Sequence, residues 1–417
     1  MTATTPPRLL VIALNHAPEL TGIGKYVGEM TAWLAERGLA VRVITAPPYY
    51  PAWSVKPPYL SSRYVREQLA GVEVWRCPLY VPRRPRVLNR LMHLASFALT
   101  SLPVLLWQAL RWRPRLILVI EPPLACAPGV LAAALLCGAR TWLHVQDFEV
   151  DAAFELGMLR RGWLQRLALA IERGLLRRFD YVSSISQRML AKLRDKGVEA
   201  ARIGYFPNWV DMELIRPLDG RVNLRASLGI EPRVPVLLYS GNMGEKQGLD
   251  LLIHTARVFA GCRDVLFLLC GDGAARLRLE ASAQGLANVR FIPLQPLSVL
   301  NQLLNLAEVH LLPQREDAED LVMPSKLSAI MASGRPVLAT ARAGSDVELA
   351  AREGGLVVPP GDRAAFAAAL TRMLDDPELC QRLGVAGRSY ALTQWDKDAV
   401  LQRMMTVLLH KSDTSAP

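Results

Sequence analysis

The sequence predicts an α/β fold of two doubly wound domains, each a parallel sheet with helices on both faces. Three observations carry this. The chain has 417 residues, more than one hydrophobic core ordinarily serves and about right for two domains of roughly 200 residues each. Short apolar runs alternate with longer helical patterns through both halves, and continuous rather than alternating apolar strands mean sheets buried on both faces. Glycine turns recur where strands run into helices, which is where open α/β sheets bind ligands. At 51% hydrophobic and 21% charged, with no low-complexity tract, the chain also reads as a folding one rather than a disordered one.

In chain order, strands are expected at Arg8–Leu14, Ala40–Thr45, Val72–Arg76, Arg115–Ile120, Thr141–Val145 and Tyr181–Ile185, with helices such as Gly24–Arg37 and Trp163–Phe179 between them. The second half repeats the scheme at Val236–Ser240, Val265–Cys270, Val289–Ile292, Val309–Leu312, Pro336–Ala339 and Gly355–Val358. A boundary is expected near Phe206–Asp211, giving domains at 1–208 and 209–392 and a C-terminal helical segment, 393–417, that returns to the first domain.

The formal net charge of +11 is unevenly placed: residues 1–210 hold 27 Lys and Arg against 14 Asp and Glu, and the remainder 22 against 24. A polyanion or an anionic membrane is therefore expected as a partner of the first domain. Nucleic acid is disfavoured, because no recognised module or aromatic-basic platform accompanies the charge. Leu91 to Leu110 is uncharged and flanked by Arg83, Arg84, Arg86 and Arg90 before it and Arg111, Arg113 and Arg115 after it. The length would suit a membrane span, but Pro103 is central and an ordinary strand follows. An interfacial segment is preferred, with Phe97, Leu102, Leu105, Leu106 and Trp107 entering the lipid boundary and the arginines meeting headgroups; a buried helix is the alternative. Pro122 to Ala139 reads as a packed core helix, and Leu159 to Arg178 as a basic amphipathic one. The six cysteines lack a C-x-x-C pair and suit buried thiols in a reducing compartment. The polar N-terminus offers no secretory signal, so a cytoplasmic location is expected, with the first domain peripheral on a membrane.

Two α/β domains with a cleft between them suit nucleotide-sugar transferases, dinucleotide oxidoreductases and periplasmic binding proteins. The absent signal argues against the last. A nicotinamide enzyme needs an acidic residue near the end of the second strand to hold the ribose; here that strand ends Val43-Ile44-Thr45-Ala46-Pro47. The loop Pro18 to Lys25, with Thr21, Gly22, Gly24 and Lys25, opens the first helix and suits an anion such as a diphosphate at the helix amides. A comparable turn, Ser240 to Gly248, contains Gly241, Asn242, Gly244, Lys246 and Gln247; a third, Gly271-Asp272-Gly273, follows the next strand. An acidic loop then leads to Pro324-Ser325-Lys326 at a helix start, where Lys326 could neutralise a leaving diphosphate.

Together these segments closely resemble the GT-B glycosyltransferases of family 4 over nearly the full length. The features are the first glycine loop and its helix ending Ala35-Glu36-Arg37-Gly38, Asn208-Trp209-Val210-Asp211, Gly271-Asp272-Gly273, and Pro324-Ser325-Lys326 leading to Gly334-Arg335-Pro336-Val337. Within the family the chain looks most like the colanic-acid-type exopolysaccharide (fucosyl)transferases, on Glu19 to Tyr26, Val43 to Pro51 and Trp75 to Pro82. The resemblance implies a GT-B fold, two Rossmann-like domains facing a central cleft. It also implies a metal-independent, retaining hexosyltransferase that needs no cofactor beyond its nucleotide-sugar donor. GDP-fucose is the expected donor and a lipid-diphosphate-linked oligosaccharide the acceptor. Carried over, Gly241, Asn242, Gly244, Lys246, Gly271, Asp272, Gly273, Leu294, Ser325 and Lys326 would bind the donor, and Thr21, Gly22, Gly24 and Lys25 the acceptor or a phosphate. His144 and Asp147 match the strand end that touches the transferred sugar, and with Lys326 are the expected catalytic residues. The match is uneven: Asn242 and Gln247 stand where family members often have Arg and Lys, and Ala329 where the ribose-binding glutamate usually lies. An alternative is a catalytically silent GT-B subunit that supports a partner enzyme. The one Asp-x-Asp, Asp396-Lys397-Asp398, is expected on solvated surface, and no metal site is implied.

Overall fold

A computed structural model describes residues 6–83, 87–151, 162–218, 223–315 and 325–413. The side chains of Lys246 and Ser325, all of Arg84, Arg86 and Pro324, and the acidic stretch 316–320 lie outside that description. The chain divides into two compact units, one ending at Pro207 and taking in the residues from Leu401, the other Asn208–Val400.

The first unit is an eight-stranded sheet built from β1 (Arg8–Ile12), β2 (Ala40–Thr45), β3 (Val65–Leu69), β4 (Val72–Arg76), β5 (Leu116–Glu121), β6 (Arg140–Val145), β7 (Tyr181–Ser184) and β8 (Ile203–Tyr205). Its helices are α1 (Gly22–Glu36), α2 (Val87–Arg111), α3 (Ala127–Cys137), α4 (Trp163–Leu176) and α5 (Gln187–Asp195). The strand order is β3-β4-β2-β1-β5-β6-β7-β8, with β3 antiparallel to β4 and the other pairs parallel. The order reverses between β1 and β5, so the loops after those strands flank the place where such sheets take ligands. Leu10, Ile12, Ile117, Val119, Leu143 and Val145 form the buried centre. β3 and β8 are additions to the expected strands. Arg66, Glu67 and Gln68 make β3 a polar edge strand without an apolar run, and β8 is three residues long.

Helix α2 corrects the expectation for residues 91–110. Phe97, Val104, Leu105 and Ala109 are buried in the core, and Gln108 accepts a hydrogen bond from Arg42 at 2.7 Å. Phe97 and Leu105 therefore do not meet a lipid boundary. The opposite face presents Leu88, Leu91, Met92, Leu99 and Leu110 to the outside, and Trp107 is half-exposed on the ring of Trp75. Among the described residues α2 is the one helix long and apolar enough to cross a membrane, and a third of that stretch is buried inside the unit. α3 buries Val130, Ala133 and Ala134 as a core helix should, yet Leu135 and Leu136 point outward.

The second unit is a parallel six-stranded sheet of β9 (Val236–Ser240), β10 (Leu266–Cys270), β11 (Val289–Ile292), β12 (Val309–Leu312), β13 (Val337–Thr340) and β14 (Gly355–Val358), ordered β11-β10-β9-β12-β13-β14. Its helices are α6 (Asn223–Ser227), α7 (Asp250–Phe259), α8 (Arg276–Ser282), α9 (Leu297–Asn305), α10 (Ser325–Ala332), α11 (Asp346–Arg352), α12 (Arg363–Asp375) and α13 (Pro377–Trp395); α14 (Lys397–Asp413) closes the chain. This is the doubly wound dinucleotide-fold order, with the reversal between β9 and β12. Asp396 caps α14 through Ala399 N–H at 2.8 Å, which accounts for the lone Asp-x-Asp.

Candidate active site

In the first unit the loop after β1 is held by Glu19. Its buried carboxylate accepts the N–H groups of Tyr49 and Tyr50, both at 2.9 Å, and the Asn15 amide at 2.8 Å; burial pushes its carboxyl up and those bonds draw it down. A Cβ at Gly24 would lie 2.5 Å from Glu19 Oε2. Gly24 is thus glycine because Glu19 presses on the helix, whereas Gly22 adopts φ +63°. Lys25 points along α1 to Glu29, at 3.9 Å. Thr21 is the N-cap residue and makes no side-chain capping bond. Of this loop, Gly22 and Ile23 reach the cavity of about 660 Å³ that opens at the reversal point.

Asp147 lines that cavity; His144 does not. The period of two along β6 puts Leu143 and Val145 in the core and turns Trp142 and His144 to the other face of the sheet. There His144 Nδ1 lies 2.9 Å from Ser183 Oγ, and Nε2 meets the Gln146 amide nitrogen at 3.1 Å. Because an amide nitrogen only donates, Nε2 accepts and Nδ1 carries the proton. Burial pushes the imidazole down to about 3, so it is neutral. The expected contact of His144 with a sugar is thereby corrected: the ring is enclosed and both nitrogens are engaged.

The sequence reading overlooked the acids around Asp147. Glu149 also lines the cavity and accepts the Leu124 N–H at 2.9 Å. Glu121, the last residue of β5, is fully buried, and neither carboxyl oxygen has a hydrogen-bond partner among the described residues. Burial first, then the neighbouring Glu149 and Glu172, push its carboxyl well above the ordinary range. Glu172 is buried on α4 and paired with Lys196, which also meets Asp151 at 2.9 Å. These residues lie far apart in sequence, and the order of the strands is what gathers them.

In the second unit the turns after β9 and β10 fold onto each other. Gly241 N–H donates to Cys270 O at 2.8 Å and Met243 N–H to Asp272 O at 2.7 Å. A Cβ at Gly271 would stand 1.9 Å from Gly241 O, and one at Gly273 2.6 Å from Met243 O. Those two glycines are required by backbone contact, without reference to a ligand. The engaged amides of Gly241 and Met243 cannot also hold a diphosphate, which corrects the expectation of a cradle formed by the whole turn; no carbonyl among the described residues takes the amides of Asn242 and Gly244. Gln247, where family members often have lysine, has its Oε1 buried without a partner among the described residues, and a Cβ at Gly244 would touch it at 2.7 Å. Ala329 packs in the apolar cluster around Leu327 and Met331. Leu294 is exposed beyond β11.

Lys326 lies directly over Gly241, whose Cβ would fall 2.2 Å from Lys326 Cε. Its ammonium donates to Tyr239 Oη at 2.6 Å, and Tyr239 Oη donates to Asn242 O at 2.5 Å. Lys326 has no carboxylate partner among the described residues, and burial pushes its ammonium down to about 8. A half-buried cation at the end of the first strand, beside two amides that no carbonyl among the described residues takes, can receive an anion. Tyr239, which orients it, carried no sequence signal.

A doubly wound fold with a cation at its switch point suits an enzyme that handles an anionic substrate, and the matches to known proteins define its class. Residues 21–209 match the glycosyl transferase 4-like domain and residues 234–376 the glycosyl transferases group 1 domain. The chain belongs to this glycosyltransferase family and is a glycosyltransferase. It is 43% identical to WcaI of Escherichia coli (strain K12), a protein assigned provisionally to colanic acid biosynthesis as a glycosyl transferase, over 95% of this chain and 98% of that one. A D-inositol 3-phosphate glycosyltransferase of Thermomonospora curvata is 29% identical over 52% of this chain and 54% of its own. Among solved structures, sucrose-phosphate synthase of Thermosynechococcus elongatus superposes with a TM-score of 0.74 at 21% identity, covering 98% of this chain and 100% of that one. Anabaena HepE in complex with UDP and glucose gives 0.66 at 15%, covering 97% and 100%. These likenesses establish the GT-B fold.

Proposed function

We propose that the protein transfers a hexosyl group, fucose from GDP-fucose, with retention of configuration onto a lipid-diphosphate-linked oligosaccharide during exopolysaccharide assembly. The observation that carries the reading is Lys326, a cation without a carboxylate partner among the described residues, laid across Gly241 at the switch point of the second unit. In this reading it neutralises the leaving diphosphate, with the Asn242 and Gly244 amides beside it. The leaving group itself takes the acceptor proton, so catalysis is positioning and charge stabilisation without a metal. Asp147 and Glu149 then face the acceptor. The exopolysaccharide context follows the name of the relative matched end to end.

An anionic membrane surface is the proposed location of the acceptor. Support comes from helix α4, which has apolar residues on two faces: Leu176 is buried in the core beside Glu172, whereas Trp163, Leu164, Leu167 and Ile171 are 67%, 51%, 49% and 54% exposed. Those four share one face, and the exposed Arg166 and Arg173 supply the complementary charge. Arg160 and Arg161 lie outside the described residues.

The test is incubation of the purified protein with GDP-fucose, GDP-mannose and UDP-sugars, using bacterial membranes as acceptor. Nucleotide release with sugar incorporation, highest for GDP-fucose, is expected. Release from another donor would change the sugar, and release from none would favour the silent-subunit reading.

A further inference from the structure

The cavity of the first unit is apolar over most of its wall and polar at one end. Its volume, about 660 Å³, lies within the range of built small-molecule sites, roughly 300–1,000 Å³. Leu91 and Leu94 of α2, Leu124 and Pro128 near the start of α3, and Ile171 and Leu175 of α4 supply the apolar wall. Leu91 and Ile171 belong both to this wall and to the exposed helix faces, being 41% and 54% exposed. The apolar lining is therefore continuous with the outer faces of α2 and α4.

The polar end has two features that await a partner. Arg90, exposed beside Trp53, is the cation among the lining residues. His93 is buried between Tyr49 and Trp53, and its Nδ1 donates to Tyr80 O at 2.6 Å. That leaves Nε2, also buried, as an acceptor with no partner among the described residues. A guanidinium beside an unfilled acceptor matches a head that carries an anionic oxygen and a hydroxyl. Asp147 and Glu149, at the strand ends, are both carboxyl groups, so that end suits hydroxyls better than a second anion.

We propose that this cavity binds the hydrocarbon chain of a phosphate-headed lipid, with the phosphate at Arg90. The cavity assignment rests on the proposed function only for the identity of that lipid, which would be the acceptor. The chain enters between α2 and α4 from the exposed apolar faces, and the head lies toward Asp147 and Glu149. Each methylene removed from water adds to the binding, so a chain rather than a small apolar group is the favoured occupant.

Equilibrium dialysis of the full-length protein against labelled farnesyl phosphate, farnesol and dioctanoyl phosphatidylglycerol, each below its micellar concentration, tests this. Ala125→Trp and Ala168→Trp fill the cavity from wall positions that are not buried, and circular dichroism checks their folding. One-to-one binding of farnesyl phosphate is expected, weakened about tenfold or more by either tryptophan. Arg90→Ala should weaken farnesyl phosphate about tenfold and farnesol less than twofold, as for a hydrogen-bonded charge. Preference for the prenyl phosphate assigns the cavity to the acceptor's own chain; equal binding of the phosphatidylglycerol assigns it to bulk membrane lipid. No saturable binding, or undiminished binding by both folded tryptophan variants, overturns the proposal. Sugar transfer that persists without lipid binding defeats the cavity assignment alone, and lipid binding without turnover of any donor defeats the reaction alone.

Discussion

In both units the chain leaves its first strand through a glycine turn beside the strand at which the sheet order reverses, yet the two sites are lined in opposite ways. The first has acids, Asp147 and Glu149, in the lining of an apolar cavity. The second has a lysine lying on two interlocked turns. Even the glycines differ in purpose: Gly24 makes room for the Glu19 side chain, whereas Gly271 makes room for the Gly241 carbonyl. Topology thus decides where a ligand can bind, and the side chains brought to that point decide which ligand it is. An anionic donor suits the second site and a hydroxyl-bearing amphiphile the first.

The largest effect expected from breaking this division is at Lys326. Lys326→Gln should lower kcat by about 10²–10³, the loss typical of removing one charge-stabilising donor, and leave farnesyl phosphate binding unchanged. Burial holds the wild-type ammonium at about 8, so its charge is present below that pH and lost above it. GDP affinity should therefore fall as pH rises from 7 to 9 in the wild type and stay flat in Lys326→Gln, read by calorimetric titration. A falling profile in the variant would locate the titrating group elsewhere.

A smaller effect is expected at the exposed face of α4. Trp163→Ser and Leu167→Ser should each weaken sedimentation with phosphatidylglycerol vesicles about tenfold, since each gives up part of the roughly 1.5–3 kcal/mol that burying a large apolar side chain supplies. Donor binding should not move. Phe97→Ala serves as the contrast: it sits in the core and should instead cost about 3–5 kcal/mol of stability. Vesicle binding unchanged by both serines would retire the α4 face.

Much of the scaffold was legible because buried parallel strands write continuous apolar runs; β9 matches its expected span residue for residue, and β12 does as well. β3 was not, because a strand exposed at an edge needs no such run. Asp147 and Lys326 were legible as polar residues at strand and helix ends. His144 misled for a geometric reason: a strand end shows its last side chains to both faces, and only the register decides which side chain reaches the mouth. Glu121, Glu149, Glu172 and Lys196 had no local signature, since each belongs to a different element. Helix α4 was legible as amphipathic, but periodicity does not say which face turns inward. Here the inward face carries Glu172, paired with Lys196, beside Leu176 of the core, and leaves a second apolar face outside.

The smallest effect separates a glycine loop that binds phosphate from one that only turns. Lys25 was expected at a phosphate, but its side chain follows α1 to Glu29, and an exposed pair spaced i, i+4 contributes only about 0.3–0.5 kcal/mol. Lys25→Ala should therefore change kcat/KM less than twofold and shift the thermal midpoint by about a degree or less. If kcat/KM instead falls a hundredfold at unchanged stability, Lys25 swings from Glu29 onto an anionic ligand. The first site would then bind phosphate as the second does, and the contrast between an amphiphile site and a diphosphate site would collapse.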